Sequence, residues 1–364
     1  MLVIDVKSIG IICEYNPFHN GHIYQINKIK EMFPDSIIIA VMSGNFTQRG
    51  IPSILTKDEK ASICINNNID LVIELPFVFA SQSADIFASG AIQILKALKV
   101  EYLVFGSEAN DIETLTNIAD IQINSSEYDK EVKKYLDLGY NYPTAMNKAL
   151  KINFDFQNSP NDLLGLSYIK AIKLEKASIT PISIKRTNDF HSIDLNNKIV
   201  SATAIRNALM ENKNIEDYVP KEVYNILKNK NNKEYFKYLK YKIISEGTSI
   251  NKYQTVDEGI ENRILKAIDK SNSLDELINA VKTKRYTYNK LCRMFIHILC
   301  SLTKEEAQNN KSINYIRVLE FNKNGQHYLS KIKKELQIPL ITTTKYYNDL
   351  LTIENRVDNI YKLL

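Results

Sequence analysis

The chain reads as an α/β protein: a parallel-sheet, Rossmann-like domain followed by a mainly helical, basic region. Three observations predict this. Short β-branched apolar runs alternate with longer segments of helical period, and each run ends in small or polar residues. Beyond Lys221 the helical period continues without strand-like alternation. Charge divides the same way: residues 1–206 carry 20 Lys+Arg and 23 Asp+Glu, and residues 207–364 carry 27 and 19. The predicted division is therefore 1–206 and 207–364, with a helical insertion at about 111–160 in the first part.

Ile9, Ile11 and Ile12 form the first buried strand, which must end before Pro17 because proline cannot sit in a central strand. Ile23, Ile26 and Ile29 then follow helical spacing. Ser36–Met42 is a second strand, closed by the Gly-bounded loop 43–50. Thr56-Lys-Asp-Glu59 is a capping box that starts a helix. Leu71–Glu74 is a third strand, ending at Pro76. Ser81–Lys99 reads as one long helix with Ile86, Ala91, Ile94, Leu95 and Leu98 on its buried face. Tyr102–Phe105 is a fourth strand. Glu127–Leu138 and Pro143–Leu150 are helical, and Ser159-Pro-Asn-Asp162 caps a helix to about Leu174. Ile179–Arg186 is a fifth strand, and Ser201-Ala-Thr-Ala-Ile-Arg206 opens a further helix. In such sheets ligands bind beyond the carboxyl ends of the strands.

The first strand-to-helix turn carries the chemistry. Two of the five histidines, His19 and His22, fall within four residues there, around Gly21. Glycine admits close approach of a ligand, and a helix N-terminus offers free N–H groups to an anion. The turn reads as a phosphate cradle without a Walker lysine; ordinary polar capping by the histidines is the competing reading. Gly106 at the fourth strand end would admit a purine or ribose. Lys185-Arg186 places cations near the cradle, and Ser201, Thr203 and Arg206 present hydroxyls and a guanidinium that suit phosphate oxygens.

His19-Asn-Gly-His22 resembles the His-x-Gly-His signature of the nucleotidyltransferase superfamily, and Ser201–Arg206 resembles its second signature. The wider string Glu14-Tyr-Asn-Pro-Phe-His-Asn-Gly-His22 is similar to the bacterial tRNA(Met) cytidine acetate ligase family. The resemblance extends to Met42–Gly50, Glu74–Phe77, Lys284–Thr287 with Arg293, and Tyr315–Asn322; the family usually has arginine where Lys290 stands, and nothing is carried over for Val357–Leu364. It implies a cytosolic ligase that makes acetyl-adenylate from ATP and acetate, then acetylates N4 of the wobble cytidine of elongator methionine tRNA. It places ATP contacts on Ile12, Cys13, Glu14, Tyr15, Asn16, Pro17, Phe18, His19, Asn20, Gly21, His22, Ile23, Tyr24 and Gln25, and on Gly106, Asn161 and Arg186. Charge stabilisation would fall to His19 and His22. Lys284, Arg285 and Arg293, expected in one helical region, would hold tRNA, and Mg2+ would accompany the triphosphate with no dedicated protein site.

Composition narrows the alternatives. No apolar stretch is long enough for a membrane span, and the N-terminus lacks a signal-peptide pattern. Cys13, Cys64, Cys292 and Cys300 show no CxxC pairing and read as buried apolar side chains. Two other readings stay open. A transferase adenylylating a small phosphorylated metabolite would share the cradle but not need the basic half, and a non-catalytic RNA-binding protein would not need His19, Gly21, His22 and Arg206 intact.

Overall fold

The computed structural model describes residues 6–150, 159–186, 200–230, 234–343 and 348–364; residues 151–158 of the predicted insertion lie outside it. Among the described residues one seven-stranded sheet runs in the order β5-β4-β1-β2-β3-β6-β7. Its strands are β1 (Ser8–Cys13), β2 (Ile37–Ser43), β3 (Leu71–Leu75), β4 (Tyr102–Ser107), β5 (Thr180–Lys185), β6 (Ile316–Phe321) and β7 (Leu340–Ile341). The first five are parallel, and β6 pairs antiparallel with β3. β1 to β3 are buried almost throughout, which is why they read as continuous apolar runs.

The chain steps outward through β2 and β3, then crosses back to lay β4 on the other side of β1. That reversal makes β1 and β4 the switch point, with a crevice beyond their carboxyl ends. The helices of the first part are α1 (Asn20–Met32), α2 (Lys57–Asn66), α3 (Phe77–Ala80), α4 (Ala84–Ala97), α5 (Ile112–Asn124), α6 (Ser126–Asp137), α7 (Tyr142–Leu150), α8 (Pro160–Leu174) and α9 (Ala202–Met210). Those that follow are α10 (Lys221–Leu227), α11 (Phe236–Glu246), α12 (Ile260–Ile268), α13 (Leu274–Val281), α14 (Tyr288–Leu299), α15 (Lys304–Asn309), α16 (Lys323–Ile332) and α17 (Asp349–Tyr361). α1, α2 and α9 close one face of the sheet around Ile26, Ile29, Ile63 and Ile205, while α4 and α8 close the other around Ala91, Leu95 and Leu166.

Four expectations need correction. The helix predicted over Ser81–Lys99 is shorter: α4 runs Ala84–Ala97, with Ser83 as its N-cap. Ile86 is 40% exposed because it sits on the first turn of α4, over the crevice rather than over the sheet. Ser159 makes no side-chain cap; Glu108 from the end of β4 takes that role, accepting from the backbone N–H groups of Asn161 (3.1 Å) and Asp162 (3.0 Å). The chain after Lys221 is not strand-free, since β6 and β7 extend the sheet of the first half. β6 sits near the edge and only its first half is buried, so its alternation is weak.

A buried ionic network fastens this return. Lys57 on α2 reaches Glu74 on β3 at 2.6 Å and also pairs with Asp358 on α17, while Arg317 on β6 holds Glu74 at 2.8 Å. Glu354 on α17 accepts the backbone N–H of Phe77 at 2.7 Å. Burial raises the Glu354 carboxyl, and the neighbouring Glu74 raises it further. Glu74, Glu354 and Asp358 come close enough to hold a metal ion, but Lys57 and Arg317 already supply the compensating charge. The trio therefore reads as a structural ion-pair network.

Candidate active site

A cavity of about 1160 Å³ opens at the predicted crevice, and its floor includes Ile12 and Cys13 from β1, Phe105 and Gly106 from β4, and Ile184 from β5. The opening turns of α1, α4, α8 and α9 all line it. Each turns the positive end of its helix dipole toward the cavity, which favours an anion there, although the Gly21 N–H is already taken by His19 and the Asn161 and Asp162 N–H groups by Glu108. Seven cationic side chains line it (Arg49, Lys185, Arg186, Arg206, Arg285, Lys290 and Arg293) against four carboxylates (Glu14, Asp85, Asp137 and Glu258).

His19 and His22 do two things at once. His19 is the N-cap of α1, and its Nδ1 accepts from the Gly21 N–H at 3.0 Å. The His22 Nδ1 accepts from the His19 N–H at 3.1 Å, completing a capping box with imidazoles in place of the usual hydroxyl and carboxyl. The rings stack with centroids 3.7 Å apart. Burial pulls the His19 pKa down from 6.5 to about 3, helped by Arg186 and then Arg206; burial and then His19 and Arg186 pull His22 well below 6.5. Both rings are thus neutral, and with Nδ1 accepting, each proton resides on Nε2. Each imidazole is consequently a capped, fixed N–H donor at the cavity wall. Capping uses only the Nδ1 atoms, so it does not exclude a phosphate-binding role for the same rings.

The depressed histidines set a pH dependence of stability. Between their folded and unfolded pKa values the unfolded chain binds more protons, so stability rises with pH in that window. Full stability from this source is expected above pH 6.5, with progressive loss as pH falls toward about 3. Urea unfolding of the parent and of His19→Asn across pH 4–7 checks this; the slope should be shallower in the variant.

Arg206 anchors the second signature. Its Nη1 donates to the Asn16 carbonyl at 2.6 Å and its Nη2 to the Thr203 hydroxyl at 3.1 Å, while the Ser201 hydroxyl caps α9 through the Ala204 N–H at 3.1 Å. Burial lowers its pKa to about 10, which still leaves it charged at neutral pH. On the opposite side, a methyl group added at Gly106 would touch Arg186 Cγ at 3.4 Å. Arg186 faces Glu108 at 4.0 Å, and Glu108 also receives the Asn161 side-chain amide. Asp162 closes the latch, accepting from the Glu108 and Ala109 N–H groups at 3.1 and 3.0 Å. Gly106, Asn161 and Arg186 therefore share one wall.

Most expected ATP contacts meet the cavity: Ile12, Cys13, Glu14, Tyr15, Asn16, His19, Gly21, His22, Tyr24 and Gln25, together with Ser201 and Thr203. Pro17, Phe18, Asn20 and Ile23 do not line it. Phe18 is fully buried against Tyr15, and Asn20 turns away to donate to the Asp217 carbonyl at 2.8 Å. Asn16 is largely scaffold, its side-chain oxygen accepting from the Ile54 N–H at 2.9 Å. Of the expected tRNA contacts, Arg285 and Arg293 line the cavity and Lys284 does not. Nor do the three share a helix: Lys284 and Arg285 precede α14, and only Arg293 lies on it. Arg293 is also partly structural, donating to the Gln48 carbonyl at 3.4 Å. Lys290 sits 4.1 Å from the Tyr286 ring centre. The four cysteines are buried, and burial pushes Cys13 up to about 12.

Lys60 escaped the sequence reading. It is fully buried at the carboxyl ends of β1 and β2, donating to the carbonyls of Glu14 (3.0 Å), Ser43 (2.8 Å) and Gly44 (2.8 Å). The signal was present, for Lys57, Lys60, Ala61 and Cys64 fall at i, i+3, i+4 and i+7 on the buried stripe of α2.

Residues 6–364 match the sequence profile of the HIGH nucleotidyl transferase family. A tRNA(Met) cytidine acetate ligase of Caldicellulosiruptor saccharolyticus is 39% identical, over 98% of this chain and 94% of that protein. The chain belongs to the tRNA(Met) cytidine acetate ligase family. A ligase of the same name from Clostridium perfringens is also 39% identical, over 98% of this chain and 94% of that one. The crystal structure of Thermotoga maritima TmcAL in its apo form superposes with a TM-score of 0.89 at 31% identity, covering 98% of this chain and 95% of that one. A second TmcAL structure, bound with alpha-thio ATP, gives 0.87 at 30% identity over 98% and 94%.

Proposed function

We propose that this member of the ligase family uses the cavity to join acetate to ATP and then passes the acetyl group to N4 of the wobble cytidine of elongator methionine tRNA. The observation that carries the reading is the pair of neutral, capped imidazoles, each with an Nε2–H donor, set among four helix N-termini and an excess of cations. A triphosphate lying there would direct its outer phosphates to Arg206, Thr203 and Ser201. Its adenosine would fall on the wall formed by Gly106, Asn161 and Arg186.

An acetate carboxylate oxygen attacks the α-phosphorus, the bond to the bridging oxygen breaks, and pyrophosphate leaves. His19 and His22 donate to the non-bridging oxygens where charge develops, and because they are held by their backbone partners they need no reorganisation. The cytidine N4 then attacks the acetyl carbon; AMP leaves and the amine gives up a proton. Mg2+ belongs to this scheme as the companion of the triphosphate, not as a resident ion. The second half of the chain contributes Gln254, Thr255, Glu258, Arg285, Lys290 and Arg293 to the same cavity. An RNA held by that half could extend a splayed base toward the adenylate.

Incubating the protein with ATP, labelled acetate and methionine tRNA tests the reading, with nucleoside analysis for N4-acetylcytidine. Label in that nucleoside supports it; label absent from RNA contradicts it. Arg186→Ala is expected to weaken ATP binding by about tenfold or more, the order of one charge-assisted contact. Calorimetric titration with ATP, with thermal unfolding alongside, checks both the weakened binding and the intact fold.

A further inference from the structure

A second, smaller depression lies away from the cavity, in the groove between α12 and α13. Arg263 and Lys266 line it from α12, on the side away from the buried Ile260, Ile264 and Ile268, and Lys270 lines it from the turn that follows α12. Lys266 and Lys270 are exposed and make no ion pair among the described residues. The one carboxylate lining the groove, Glu276, already accepts from the Asn272 N–H at 2.8 Å.

The groove connects to the cavity mouth. Arg263 donates to the carbonyls of Ala280 (3.1 Å) and Lys282 (3.4 Å), which binds α12 to the turn between α13 and α14. That turn carries exposed Lys282, Lys284 and Arg285. Arg285 pairs with Glu258 at 3.2 Å, and both line the large cavity. Cations thus run in sequence from Lys270 through Arg263 and the turn to the cavity.

We propose that the α12–α13 groove is a docking surface for the sugar–phosphate backbone of the RNA acceptor, with Lys266 and Lys270 binding phosphates; this rests on the RNA-acceptor reading given above. An open groove with three cations and one occupied carboxylate suits a polyanion, and the further cations on the turn beside the cavity suit a strand whose far end is the substrate. Such cations position the RNA without reading its sequence.

The test compares the parent with Lys266→Gln/Lys270→Gln and with Lys266→Arg/Lys270→Arg. Binding of methionine tRNA is measured at several salt concentrations, and acetate-dependent ATP–pyrophosphate exchange without RNA reports on the cavity. Removing one phosphate-binding cation should lower the slope of log affinity against log salt by about 1, so the Gln pair should show a slope lower by about 2 and bind more weakly, while the Arg pair keeps the parental slope. A parental slope in the Gln pair overturns the groove assignment and leaves the acceptor reading intact. A parent that does not bind tRNA overturns both.

Discussion

Replacing His22 by alanine is expected to slow acetyl-adenylate formation by about 10²–10³-fold, the usual cost of removing one fixed donor to a developing oxyanion. The same change also removes half of the α1 capping box, because the His22 Nδ1 accepts the His19 N–H at 3.1 Å. That removal should cost about 1 kcal/mol of stability, the ordinary worth of a helix cap. The two effects separate with His22→Glu. A glutamate at this position is a residue that a capping box normally uses, so its carboxylate oxygen restores the cap. It carries no N–H to stand in for the Nε2 donor. Stability should therefore return toward the parent while the rate stays low. Equal recovery of both would mean that His22 acts only through the helix end.

Lys60→Met is expected to be the most damaging substitution away from the cavity lining. The ammonium satisfies three carbonyls at the ends of β1 and β2, and methionine leaves all three buried without a donor. At roughly 1–3 kcal/mol for an unsatisfied buried group, the destabilisation should reach at least about 3 kcal/mol even after partial relaxation. The consequence reaches the site, because the Glu14 carbonyl is the last backbone group before Tyr15, which adopts a positive φ of 48° and leads into the His19 turn. Denaturant unfolding of the variant, with ATP titration on the folded protein, measures both effects. A destabilisation below about 1 kcal/mol, the lower bound for one unsatisfied group, with unchanged ATP affinity would show that Lys60 holds nothing in place.

The sheet of the first half was readable because β1 to β5 each form a short apolar run with a polar or glycine end, and their parallel pairing follows from the helices between them. The strand β6 was not readable. Its outer half lies exposed near the sheet edge, so Leu319 to Phe321 carry no inward–outward rhythm that helix-rich surroundings would not also produce. The same limit applies to Lys284 and Arg285, whose basic run resembles a helix face but occupies the turn before α14. In the cavity, residues on strand ends and helix openings were readable because the fold rule places them. The walls from the second half were not, since Gln254, Glu258 and Lys290 come from turns and helix starts whose approach to β1 is purely tertiary. Asn20 shows the converse: it lies inside the motif, yet faces away from the cavity.

ATP–pyrophosphate exchange without tRNA, run over a panel of short carboxylic acids and small phosphorylated metabolites, separates activation of a carboxylate from every competing use of the cradle. Exchange that requires acetate, and that falls by about 10²–10³-fold in His22→Ala, is the predicted result. Exchange driven by a phosphorylated metabolite and indifferent to acetate would contradict it.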